Sequence, residues 1–271
     1  MTTAIGAGRV PTATVRMIGN ETAKGLRILW SHKITLIPQL LILALMYLMF
    51  QLILGGGQLV HALLPMTLFA YATYVISYIA LLKMVAGLLE EVNAGTLEQA
   101  HLSPLRPWSL AAGRLGAVLI EGMFSGLVIA GAFMLALGVE IPLDAAAVLP
   151  LLLTLADIAG FALLLGGLAL IVTSIGAIVH VINSFVMIVN GSMVPITTFP
   201  AGLELAAKFV PTTLGIDASR KALFGDQSLA ALLADGSIGW AALHAAVMLL
   251  IGWAVYQRAI SNGLRDGRLG P

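Results

Sequence analysis

The sequence contains no cysteine. Disulfide staples, thiolate metal ligands and cysteine nucleophiles are therefore excluded, and redox compartment leaves no mark on it. Charge is almost as scarce. Asp, Glu, Lys and Arg make up 10% of 271 residues, against roughly 25% in a soluble domain. So few charges cannot clothe a water-facing surface. Catalytic signatures are missing too: no G-x-x-x-x-G-K-[ST] run for nucleotide phosphates, no H-E-x-x-H for zinc, no G-x-S-x-G elbow. The five histidines (His32, His61, His101, His180, His244) are scattered over different segments, which argues against a metal site. Net charge is +1, so nucleic acid is not indicated as a partner.

What the chain does have is apolar length. Hydrophobic residues make up 59% and mean hydropathy is +1.00. A membrane-crossing helix needs roughly 20 such residues, and six stretches qualify: about 34–54, 63–82, 115–137, 148–172, 175–194 and 239–256. The expectation is an all-α, polytopic membrane protein forming a single domain over 1–271. The polar first thirty residues lack a short apolar core with a cleavage site, so no signal peptide is read there. Loop charges orient the spans. With the N-terminus inside, eleven of fourteen Lys and Arg fall on the cytoplasmic side, leaving Lys208, Arg220 and Lys221 outside. Both termini are therefore expected in the cytoplasm.

Two segments are neither span nor simple loop. In 15–30, Val15, Ile18, Thr22, Leu26 and Leu29 make one stripe, with Arg16, Lys24 and Arg27 elsewhere on the wheel. This suits an interfacial helix in contact with membrane lipid, with Trp30 at headgroup level; a plain juxtamembrane helix is the alternative. On the other side lies 195–237. Its piece from Pro200 to Pro211 is too short to span and too apolar for open water, and suits a re-entrant helix.

The segment 90–108 is polar and acidic on an otherwise basic side. A short helix from Thr96 to Leu102 would suit transmitting force from a docked soluble protein, with Leu97 and Leu102 as apolar knobs and Glu91 and Glu98 seeking basic partners. The alternative is a solvated loop whose acids balance Lys83 and Arg106. The run Glu91-x-x-x-Gly95-Thr96-Leu97-Glu98-Gln99, then Ser103-Pro104, Trp108 and Gly113-Arg114-Leu115 resembles the first cytoplasmic loop of type 2 ABC-exporter permeases. Gly191-Ser-Met-Val-Pro195, Phe199-Pro200, Phe209-Val-Pro211-Thr and Asp217-Ala-x-Arg220 resemble that family's segment after span five. Glu121 in span three is a departure from it.

The resemblance implies a permease that works with a second permease, identical or paralogous, and two copies of a separate P-loop ATPase. It implies no cofactor in this chain, with ATP and magnesium on the ATPase. Glu91, Gly95, Thr96, Leu97 and Glu98 would couple to that subunit. Pro200, Leu203, Phe209, Pro211, Asp217 and Arg220 would form an outer re-entrant gate. It further implies a bacterial plasma membrane and resembles the drug- and antibiotic-export branch.

Glu121 and Asp157 lie within predicted spans, where charge is costly. They read either as a proton relay or cationic-substrate contact, or as protonated or hydrogen-bonded packing residues, there being no second ion partner within the spans. Gly122-x-x-x-Gly126 reads as a dimer face or a close approach within one bundle. The pathway spans are apolar apart from Tyr47, Tyr71, Tyr74 and Tyr78, which favours an amphiphilic or hydrophobic small molecule over a glycan. The rivals are an exporter of polysaccharide or lipid-linked precursor, a proton-driven transporter using Asp157 and Glu121, and a non-transporting scaffold.

Overall fold

A computed structural model describes residues 10–31, 33–97, 107–172 and 175–265. Its helices are α1 (Val10–Ser31), α2 (Lys33–Leu54), α3 (Leu64–Asn93), α4 (Pro107–Leu137), α5 (Val148–Ala169), α6 (Ile175–Val189), α7 (Ala201–Ala207), α8 (Thr213–Phe224), α9 (Leu229–Ala234) and α10 (Ser237–Arg265). No strand occurs among the described residues. Among the described residues, five stretches are long and apolar enough to cross a membrane: Ile34–Leu54, His61–Asn93, Trp108–Leu137, Ala145–Ala169 and Ser237–Arg265.

The expected fifth span falls short. α6 has 15 residues, ~22 Å at 1.5 Å per residue, against a hydrocarbon core of ~30 Å. Its end has a local cause. The Asn190 side chain accepts from Ser192 N at 2.9 Å and donates to Thr212 Oγ1 at 2.9 Å. Gly191 follows at φ +82, which turns the chain out of the helix.

The second, third and sixth spans are longer than expected, the last running to Arg265. α3 continues through Lys83, Glu90 and Glu91 to Asn93, and α4 begins at Pro107. A helix that outlasts its apolar stretch keeps its backbone bonded while its charged end enters the polar layer, and proline suits a first helical position.

Small residues set the packing. A Cβ on Gly122 or Gly126 would run into the Ile76 and Ala72 carbonyl oxygens, so this pair serves the α3–α4 contact within the chain. A Cβ on Gly160 or Gly252 would clash across the α5–α10 contact, and one on Gly167 would meet the Tyr256 backbone. α1 lies along the start of α4. Thr22 Oγ1 donates to the Gly113 carbonyl at 3.0 Å, and Gly25 sits against Ala117. Ile18, Thr22 and Leu26 are half-buried, while Val15 and Trp30 are exposed.

Three of the four tyrosines do not line an open path, and Tyr78 is half-buried. Tyr47, Tyr71 and Tyr74 are buried inside the bundle, with ring centroids 5.1 and 5.6 Å apart in series. The Tyr71 hydroxyl donates to the Leu43 carbonyl at 2.7 Å, tying α3 to α2.

Candidate functional site

The site residues fall at two ends of the bundle. At the terminal end, α1, the last turns of α3, the first turns of α4 and the final turns of α10 converge. α3 closes at Ala94, whose N–H bonds the Glu90 carbonyl at 2.9 Å, and Gly95 turns the chain at φ +66. A residue with a Cβ takes that conformation at a cost; glycine does not. Thr96 and Leu97 then resume helical geometry. Glu98, like the rest of 98–106, lies outside the described residues.

Leu97, expected as an outward knob, points inward. It is 1% exposed and belongs to the core formed by Leu88, Ala111, Tyr256 and Ile260. An apolar side chain beside so many buried neighbours gains more by joining them than by facing water. Glu91 also has partners within the chain: Arg114 of α4, and Lys24 of α1 at 3.9 Å. One carboxylate thus ties α1, α3 and α4. Thr96 stays exposed, and its hydroxyl donates to the Glu91 carbonyl at 3.3 Å.

Beside this turn, α1, α2, α3, α4 and α6 enclose an open cavity of about 790 Å³. Its polar wall includes Lys24, Gln39, Lys83, Glu90, Glu121 and His180; its apolar part includes Ile28, Leu82 and Val118. Glu91, Ala94 and Thr96 reach its rim, and no aromatic residue lines it among the described residues. Glu121 is 7% exposed, with Lys83 Nζ 3.2 Å from its Oε1. The expectation of an acid without a basic partner is therefore corrected: Lys83, one residue past the predicted span, reaches back along α3.

The opposite, hairpin end holds the second group. Pro200 precedes α7, and Pro211 precedes Thr212, which takes φ +73 at the start of α8. Asp157 of α5, 5% exposed, accepts from Thr212 N at 2.6 Å through Oδ2. Its Oδ1 lies 3.0 Å from His244 Nδ1 of α10, and His244 Nε2 lies 3.3 Å from the Phe209 carbonyl. Asp157 too has a basic partner, and the two acids are paired with different bases. Leu203 and Phe209 have exposed side chains. Asp217 meets Lys221 at 3.5 Å.

Arg220 is 7% exposed, and its Nε and Nη2 have no hydrogen-bond partner among the described residues. Burial pushes its pKa down to about 10, with Asp217 opposing.

Sequence reading missed His244. It lies 87 residues from Asp157, and nothing local links them. The available signal was an ionisable side chain inside an apolar span, which is rare enough to ask for a partner.

The profile of the ABC-2 family transporter proteins matches residues 56–254. The chain belongs to that family. The match runs from the turn before α3 into α10 and takes in both groups of site residues. Membership makes this multi-pass protein the membrane component of an ABC transporter, with an ATP-binding subunit as partner. Comparison with curated proteins finds no match.

Proposed function

We propose that this ABC-2 family protein exports an amphiphilic or hydrophobic small molecule, of the drug, antibiotic or lipid type, using ATP hydrolysed with magnesium on two copies of a separate ATPase. A second permease, identical or paralogous, completes the pathway. The terminal end faces the cytoplasm of a bacterial cell, the hairpin end faces outward, and α6 with 190–194 makes the sixth crossing beside α1 as an interfacial helix.

The observation that carries this reading is the cavity of about 790 Å³ at the terminal end. Its size falls in the range of drug-sized ligand sites. Charged and apolar walls suit a molecule with a polar head and a greasy body. The absence of aromatic residues among the described lining favours such a molecule over a glycan, which stacks on rings.

The turn at Gly95 borders this cavity, so a push on the loop from a docked ATPase reaches the substrate chamber directly. Thr96 and Glu98 offer the docking face, while Glu91 and Leu97 hold the loop to the bundle. The test is purification in mild detergent with identification of the bound subunits, followed by hydrolysis assays with amphiphilic compounds. Recovery of a P-loop ATPase whose activity rises with amphiphiles supports the reading. Recovery of the chain alone, with export collapsing when a proton gradient is removed from ATP-replete cells, overturns it.

A further inference from the structure

The contacts of His244 require a particular number of protons. Its Nε2 lies 3.3 Å from the Phe209 carbonyl, which only accepts, so Nε2 must carry a proton to bond it. Its Nδ1 lies 3.0 Å from Asp157 Oδ1. The other Asp157 oxygen already accepts the Thr212 N–H. With an ionised carboxylate, Nδ1 must also carry a proton. A neutral imidazole has one proton for two acceptors and gives up one contact. The complete set therefore needs one proton beyond neutral His and ionised Asp, held between the two side chains.

We infer that Asp157 and His244 are positioning residues for the hairpin of α7 and the 208–212 turn, and that they hold it through this shared proton. Both hairpin contacts are backbone groups: the Phe209 carbonyl, and the N–H of Thr212, held at φ +73. The proton thus fixes the path of the chain rather than one side chain. A second tie, from Asn190 Nδ2 to Thr212 Oγ1 at 2.9 Å, carries no titrating group.

Most other charged groups on the elements packed around the pair have partners of their own. Asp157 is the only ionisable residue on α5. Glu204 of α7 and Lys208 of the following turn pair at 2.8 Å. On α8, Asp217 and Lys221 pair at 3.5 Å, Lys221 also reaches Asp235 at 3.2 Å, and Arg220 lies beside the Gly191 turn. His180 of α6 lines the cavity at the terminal end, and Arg258 and Arg265 follow in the last turns of α10. The proton is held at low pH and leaves as pH rises, so the hairpin loosens in alkali. The meaning of this movement as an outer gate rests on the export reading; the proton count does not.

The test places a spin label on Leu205→Cys, on the exposed side of α7, in the full-length chain in lipid nanodiscs. Since there is no native cysteine, the label is unique. In the unaltered background its mobility should rise as the pH is raised from about 5 into alkali, as the shared proton leaves. Asp157→Asn should invert that response. Its amide oxygen accepts from Thr212 and its NH2 donates to Nδ1, so a neutral imidazole now satisfies every contact and an added proton breaks one. His244→Leu should leave the label mobile throughout.

A label at Ala231, on α9, should keep its spectrum in every correctly folded variant. If His244→Leu fails that control, the inversion in Asp157→Asn decides alone. A wild-type spectrum unchanged over this range, or an Asp157→Asn profile with the wild-type direction, overturns the inference. Neither measurement involves the ATPase or transport, so a failed export assay leaves this result standing, and a failed pH response leaves the export reading standing.

Discussion

Arg220 shows how a single side chain can work against the fold that holds it. Burial lowers its pKa to about 10, below the ordinary arginine range. A base whose folded pKa lies below its unfolded one costs stability while charged. That cost is full at neutral pH and lifts only as pH rises through about 10. Arg220→Met should therefore raise the Tm near pH 7 by about 2–4 °C, the shift expected for ~1 kcal/mol in a chain of this size. A fall would show that the buried guanidinium contributes net stability, and would overturn this prediction.

Glu121 gives a second test. Glu121→Gln leaves Lys83 unpaired, but Lys83 is half-exposed and can turn to water, so the loss should be about 1 kcal/mol or less. ATP-driven export should survive the change; abolished export with intact insertion would favour proton-driven transport. At this scale the sequence is legible only where the cause is local. Gly95 could be singled out because a residue without a Cβ can take a positive φ where a new helix begins. The bases beside Glu121 and Asp157 could not, because helix contacts chose them.

Among elements, α3 and the turn after it decide how force can travel. Leu97→Ala removes a buried anchor from the core of Leu88, Ala111, Tyr256 and Ile260, a change that typically costs about 2–5 kcal/mol. The turn should swing free, lowering ATPase copurification while the chain still inserts. Glu98→Lys should lower copurification and substrate-stimulated hydrolysis together, and normal values of both would show that the loop is a plain connector.

The α5–α10 contact has no slack, since a Cβ on Gly252 would overlap the Gly160 carbonyl. Gly252→Leu should cost about 1–3 kcal/mol or more, read as lost yield of folded protein. At the α9–α10 corner, hydrogen bonds from Ser237 N–H and its side chain hold the Asp235 pKa below the ordinary carboxylate value, with Lys221 adding to them. A lowered carboxylate pKa supplies stability that is present above the unfolded pKa of about 4 and lost as pH falls below it. The corner should fray in acid, seen as faster hydrogen exchange at Ser237, and Asp235→Asn should remove that acid dependence. Long apolar runs made the helices of α2, α4, α5 and α10 readable. The polar extension of α3 was not readable, because a hydropathy run ends where charge begins while a helix does not.

For the whole molecule, orientation is the first quantity to measure. Single cysteines at Gly56 or Ala231 should react with an impermeant reagent from outside intact cells, and one at Ala94 only after permeabilisation. All three positions are exposed in the chain itself, so the side of the membrane from which each labels reports its orientation. Outside labelling at Ala94 would reverse the assignment of both ends.

The shortness of α6 bears on the surrounding lipid. A segment of ~22 Å beside neighbours built for ~30 Å cannot be matched by tilting, which shortens its projection further. On the proposal that α6 makes the sixth crossing, acyl chains along that face compress where the helix falls short, and compression is easier in thin bilayers. The protein should therefore sense membrane thickness. Reconstituted into vesicles of graded acyl length, it should turn over fastest in the shorter-chain lipids and slow as the chains lengthen, with its helix content unchanged.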